Sequence, residues 1–273
     1  MTTQVAAREG RPGLPDGAYE GAPDHLRGPL IRWLEKLYTI TPDILTPQMD
    51  EAGLERLATL IRIDLRGTDG YGMLSGILAW IGEDSERLLD AIHYSLQIPT
   101  RMTKRWEELE ILLAYGGSIW TATGKGLQRR VHATALEAFD TVVAVADNAS
   151  DHLARAWTGA YGRNPHPASA WHHSIKAVEA SLRTVVCPDN PTATLSQIID
   201  ELRTGLWRLE VRGRARDYAI DPLIKMLELV WPDPNRLDTT SSELPTSREE
   251  ARAVVQLAVA IVQWGRDGQI VNR

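Results

Sequence analysis

Apolar residues recur at three- and four-residue steps along nearly the whole of this chain, and that period most limits its fold. Trp171, Ile175, Val178, Leu182 and Val185 step by four, three, four and three. A helix turns once every ~3.6 residues, so this spacing puts all five on one helical face; a strand needs alternation instead. The same period runs through Leu26, Leu30, Trp33, Leu34 and Leu37, then Leu54, Leu57, Ile61 and Leu65, then Met73, Leu74, Ile77, Leu78 and Ile81. It continues through Leu88, Leu89, Ile92 and Leu96, and through Trp106, Leu109, Leu112 and Leu113. The second half repeats it at Leu136, Phe139, Val142 and Val143, at Leu153, Trp157, Ala160 and Tyr161, and at Leu195, Ile198 and Leu202. Leu223, Leu227 and Val230, and finally Ala251, Val254, Leu257, Ala258, Ile261 and Val262, complete the series. The expected fold class is all-α, mainly α, a multi-helix protein.

Local signals mark the helix ends. Asp50 and Asp84 precede periodic runs and read as N-caps. Thr194 with Gln197, and Thr246 with Glu249, read as capping boxes. Gly116-Gly117 reads as a stop, because glycine accepts the left-handed conformation at a helix end. One segment departs from the period: SIWTATGKGLQRRV alternates around Gly124-Lys125-Gly126 and reads as a small β-hairpin near 118–131, with 118–123 pairing 127–131. The expected organisation is a flexible tail over 1–22, an N-terminal helical region with the hairpin over 23–147, and a C-terminal helical domain over 148–273.

Composition narrows the function classes. A chain of 273 residues with 43% hydrophobic and 24% charged residues buries a substantial core. A formal net charge of −6 argues against a surface that is basic throughout, leaving nucleic acid to a local patch. With Cys187 as the single cysteine, no intramolecular disulfide and no cysteine-based zinc site can form, which fits a reducing cytoplasm. The N-terminal residues carry no apolar stretch of the secretory kind, and no run reaches the ~18 apolar residues of a membrane span. A cytoplasmic location is the expectation.

Few residues carry chemistry by spacing alone. His166, His172 and His173 cluster near Glu179, but His172, His173 and Glu179 lack the three- or four-residue separation that aligns ligands on a helix, so no metal site is expected. Arg208, Arg212, Arg214 and Arg216 lie between Trp207 and Tyr218 and suit RNA, by phosphate pairing and base stacking. Glu210 and Asp217 interrupt that run, so a solvated, salt-bridged linker fits it as well. Lys125, Arg129 and Arg130 on the hairpin are a second basic group with the same alternatives. No nucleophile elbow, phosphate-binding loop or dinucleotide fingerprint occurs. Cys187 precedes a proline and reads as structural, since no base is identified beside it.

The block HLARAWTGAYGRNPHPASAWHHSIKAVEASLRTVVCPDNPTATLSQII resembles the C-terminal region of bacterial abortive-infection proteins of the AbiJ type, which belong to the HEPN superfamily of helical domains. Trp157, the Tyr161-Gly162-Arg163 turn, the Ala177-Val178-Glu179 helix, Pro188 and Ala193-Thr194-Leu195 carry the likeness. The last helix fits too, and GAPDHLRGPLIRWL with the hairpin resembles the leading part of similar actinobacterial proteins. The resemblance implies a C-terminal HEPN-like helical bundle, a homo-oligomer and, in active members, metal-independent RNA cleavage. That cleavage uses an arginine and, four to six residues on, a histidine in a late helix. Here no histidine follows His173, and Arg236 is followed by Leu237 and Asp238. The only spaced match is Arg87 with His93, and His93, one turn from Leu89, reads equally as a histidine at the core edge. The expectation is therefore a non-catalytic HEPN-like protein of a phage–host conflict system, without cofactor, acting by protein or RNA binding and dimerisation. A divergent metal-independent ribonuclease and a structural assembly protein stand as alternatives.

Overall fold

The computed structural model describes residues 18–41, 48–99, 105–210, 218–231 and 247–272. The chain divides into two compact units between His132 and Ala133. Both are mainly α, as the period requires, and among the described residues no helix is long and apolar enough to cross a membrane.

The first unit runs α1 (Asp24–Tyr38), β1 (Thr39–Thr41), β2 (Gln48–Met49), α2 (Glu51–Leu60), α3 (Gly70–Ile81), α4 (Ser85–Gln97), α5 (Arg105–Tyr115), β3 (Trp120–Thr123) and β4 (Gly126–Arg129). Its core gathers the periodic residues: Leu30, Leu34, Leu54, Leu57, Ile77, Leu88, Leu89, Ile92, Leu109 and Leu113 are all buried. Tyr38 is buried among them and its hydroxyl donates to Ser95 Oγ at 2.9 Å, so the one polar atom of the ring is satisfied. Asp50 and Asp84 cap their helices by accepting backbone N–H groups from Gly53, and from Glu86 and Arg87. Trp106 at the start of α5 is exposed rather than inward.

The hairpin forms with Trp120 opposite Arg129 and Ala122 opposite Leu127. Residues 18–22, expected as the end of a tail, pack on the hairpin. Tyr19 N–H donates to the Gly117 carbonyl, Ile119 N–H donates to the Tyr19 carbonyl, and the Trp120 indole donates to the Glu20 carbonyl. The backbone between α5 and β3 offers pairing groups that the extended 18–20 segment satisfies.

The second unit runs α6 (Ala133–Val143), α7 (Asn148–Tyr161), α8 (Pro167–Val186), α9 (Leu195–Thr204), β5 (Trp207–Leu209), β6 (Tyr218–Ala219), α10 (Asp221–Val230), α11 (Arg248–Arg266) and β7 (Ile270–Asn272). Helices α7 and α8 pack along each other, and α11 lies against both. A division after residue 147 separates α6 from α7 and α11, on which it packs. Leu153, Val178, Leu182, Ile198, Leu202, Leu223, Leu227, Ala258 and Val262 form the core. Trp157 is buried, its ring 4.1 Å from Phe139 and 4.4 Å from Tyr161 between centroids. Trp171, on the same periodic stripe as Val178 and Leu182, is only half-buried; its indole reaches the Val230 carbonyl at 2.8 Å. Leu136 is exposed.

Among the described residues two small sheets accompany the expected hairpin: β1 with β2, and a three-stranded sheet ordered β6-β5-β7, antiparallel throughout. The capping box of α11 sits one residue later than its sequence signal, at Ser247 and Glu250, where each side chain accepts the other's backbone N–H. That of α9 is at Thr194 and Gln197 as expected.

Candidate functional site

His93, with Arg87 the sequence-derived candidate pair, is tied into the first unit. It is 9% exposed, near the end of α4. Its Nδ1 accepts the Leu127 N–H at 3.0 Å, and the Gln97 side-chain amide lies 2.8 Å from Nε2. An accepting Nδ1 in a neutral ring leaves the hydrogen on Nε2, so the Gln97 amide, whose ends are interchangeable, offers its oxygen there. The ring also lies over Gly126, where a Cβ would come 2.6 Å from the imidazole. Gly126 has φ 123, which favours glycine in any case. Arg87 faces elsewhere: its guanidinium donates to the Trp80 carbonyl at 2.9 Å, pairs with Asp84 at 3.4 Å and lies over the Trp80 ring. The two residues are not brought to one site.

The arginine run meets the structure at one residue. Arg208 is exposed on β5, the middle strand of its sheet, opposite Ala219 and Val271. Arg212, Arg214 and Arg216 lie outside the described residues, as does Arg236. On the hairpin, Arg129 pairs with Glu20 at 3.1 Å and Arg130 with Glu110 at 2.6 Å, while Lys125 is exposed at the tip.

The histidine group divides. His166 is exposed at the N-terminal end of α8. Glu179 turns inward, 2% exposed, where Oε1 accepts the Leu195 N–H at 2.9 Å and Oε2 meets Lys176 at 2.8 Å. It caps α9 from α8, a structural use of a carboxylate. His172 and His173 stay together and gain a partner that spacing did not supply: His152, on α7. His152 and His173 bring their Nδ1 atoms to 3.0 Å. Their ring centroids are 5.2 Å apart and their planes 29° apart, so the rings meet by their Nδ1 edges rather than by their faces. His172 stands edge-on to His173 with centroids 5.6 Å apart.

The surroundings of these imidazoles are mostly cationic. Burial first, then Arg155, His172 and Lys176, push the His152 pKa down, against a smaller opposing pull from Asp151. Burial, then His152, His172 and Arg155, push His173 down as well. Arg155, one turn beyond His152, is exposed and has no hydrogen-bond or ion-pair partner among the described residues. Half-buried imidazoles beside an uncommitted guanidinium suit an anion, most of all a phosphate oxygen. Among the described residues no group of three or more His, Cys, Asp or Glu side chains is placed to hold a metal ion. Nitrogens that point at each other along a hydrogen bond do not converge on a common cation.

A cavity of about 430 Å³ opens elsewhere in the second unit, lined by Asp147, Arg183, Cys187, Gly265 and Arg266 among others. Its charges are mutually committed. Arg266 pairs with Asp147 at 2.7 Å, and Arg183 donates to the Ala193 carbonyl at 3.1 Å. Burial raises Asp147, but the Ser150 N–H and Arg266 outweigh it and hold the carboxyl below its usual range. Burial pushes the Cys187 thiol up, away from the reactive thiolate, in keeping with a structural cysteine.

Compared with known proteins, the chain matches no family model, no curated protein and no solved structure.

Proposed function

We propose that this chain is an HEPN-like helical protein of a phage–host conflict system that binds RNA through its second unit, without the Arg–His motif of active family members. One observation carries the RNA reading: His152, Arg155, His172 and His173 converge on a single face of α7 and α8. Arg155 supplies a permanent charge for a phosphate, and three imidazoles supply N–H donors and flat rings beside it. The resemblance carries the family and the conflict-system setting, and dimerisation comes with it. The overall negative charge is no obstacle, because a local cluster sets the potential where a ligand docks.

The test is retention of fluorescein-labelled single-stranded RNA by the full chain, in chelator, read by anisotropy across a salt series. Arg155→Ala and His172→Ala should each weaken binding at least about fivefold, and Arg155→Ala should flatten the salt dependence by about one phosphate contact. Equal affinity for the parent and both variants would refute the cluster as the RNA site. Sedimentation of the same samples reads the dimer.

A further inference from the structure

The contact between His152 and His173 sets how many protons the pair can hold. With the Nδ1 atoms 3.0 Å apart and the rings edge to edge, one nitrogen donates and the other accepts. When both rings are neutral, the donor ring has a bare Nε2 and the acceptor ring carries its hydrogen on Nε2. A proton added to the bare Nε2 leaves the bridge intact, now between an imidazolium and a neutral ring. A second proton has only the accepting Nδ1 to go to. It removes the acceptor and sets two like charges side by side, so the bridge breaks. We propose that this pair makes RNA binding proton-linked: a bound phosphate draws one proton, and only one, into the pair, so the protein holds RNA more tightly as pH falls from about 7.5 to about 6. This rests on RNA as the ligand of the cluster and adds the condition under which it is held.

The charges facing the pair give that proton its weight. On α7 they are Asp151 and Arg155, and on α8 His172 and Lys176. Lys176 is held by Glu179 at 2.8 Å. The neighbouring helices bring other groups. Arg252 of α11 donates to the Ala160 carbonyl and lies over Tyr161, and Arg266 pairs with Asp147. Helix α6 meets α7 where Phe139 stacks on Trp157, and α9 and α10 meet α8 through the Leu195 N–H and the Val230 carbonyl. Arg155 is thus matched in number by Asp151, and Lys176 by Glu179, so these fixed charges cancel. One proton on the pair makes the face cationic. Burial and then the neighbouring cations oppose that proton in the free chain. A phosphate beside Arg155 and His172 reverses the balance. The two Nε2 atoms lie at opposite ends of the pair, so phosphate meets one N–H end and the proton enters at the far one. By linkage, what phosphate does for the proton the proton does for phosphate, up to about tenfold in affinity per pH unit.

Two measurements on the full chain test it. The first is calorimetry in chelator with an oligouridylate bearing hydroxyl ends, which has no group of its own titrating near neutral pH. Heats taken in two buffers of different ionisation enthalpy give the protons taken up per RNA bound. The parent should exceed the variant carrying both His152→Gln and His173→Gln by about half a proton to one. From about pH 7.5 to about 6 its affinity should also rise at least about threefold more than the variant's. Unchanged circular dichroism checks that the variant folds. The second measurement needs no variant. In 15N-histidine-labelled parent, a scalar coupling through the Nδ1–H···Nδ1 bond should be present in the free chain and persist when RNA binds, while the far Nε2 gains a hydrogen. Equal proton uptake by parent and variant, or a coupling that is absent or lost on binding, overturns the proposal and leaves RNA binding standing. A difference well above one proton also overturns it, since the two histidines would then titrate independently. No RNA binding by the parent at any pH in this range overturns both readings.

Discussion

His93 in the first unit and His152 with His173 in the second are the same residue type put to opposite uses. His93 spends both ring nitrogens on its own fold, one on the Leu127 N–H and one on Gln97, beneath a glycine that leaves it no room. His152 and His173 spend one nitrogen each on the other and keep Nε2 clear of that bond. A histidine is available for chemistry according to what its second nitrogen meets, and burial alone does not reveal this. In the second unit a stack of Phe139, Trp157 and Tyr161 contributes to the packing without either histidine.

The largest expected effect tests that last point. Trp157→Ala should destabilise the second unit by about 3–5 kcal/mol in chemical denaturation followed by circular dichroism, because a whole ring leaves a buried stack. Trp171→Ala, half-buried, should cost about 2 kcal/mol. Equal losses would mean that α8 presents a different face to the core. Next, His93→Ala should cost the first unit about 1–3 kcal/mol by stranding the buried Leu127 N–H. Hydrogen exchange at Leu127 is the readout, and RNA retention should not move. A loss of RNA binding on His93→Ala would erase the contrast between the two histidine sites.

Smaller still, His152→Gln and His173→Gln should each cost about 0.5–1.5 kcal/mol, the net worth of the one hydrogen bond between them. A loss of several kcal/mol would make the pair structural, like His93. The gentlest test is pH. Both imidazoles are pushed below their ordinary pKa in the folded chain, so the unfolded chain binds their protons more readily. The stability they contribute is complete above pH ~6.5 and is lost as pH falls through the lower folded values. Denaturation midpoints of the second unit should therefore decline slightly on acidification across that window. A rise would mean that the pair meets a carboxylate.

The helices were legible because each buries a stripe, and a stripe leaves its period in the sequence. Asp50, Asp84 and Thr194 were legible because capping is a contact within four residues. Legibility ended where contacts join distant residues. Strands of two or three residues have no period to read, and β5 meets β7 across more than sixty positions. Trp106, Leu136 and Trp171 fit the stripes but sit at their edges, where the period cannot separate exposed or half-buried from buried. The candidate site failed for the same reason. His172 and His173 were singled out as neighbours in sequence, whereas the decisive partner, His152, lies 21 residues before His173 and meets it only because α7 packs on α8. Arg87 and His93 had suitable spacing but point to different neighbours on one helix.

The tip of the hairpin offers a use that its role in the fold does not suggest. Gly124 has no atom within 4 Å of where a side chain would begin, and Lys125 beside it is exposed. Lengthening such a loop costs little, about 0.6 kcal/mol per doubling, so a short peptide or a fluorophore attachment point can be spliced between them. One residue further on, Gly126 rests on the His93 ring. A dye placed at the tip would thus become a gauge of whether the hairpin is seated, reporting the loosening of a buried imidazole from the outside of the molecule.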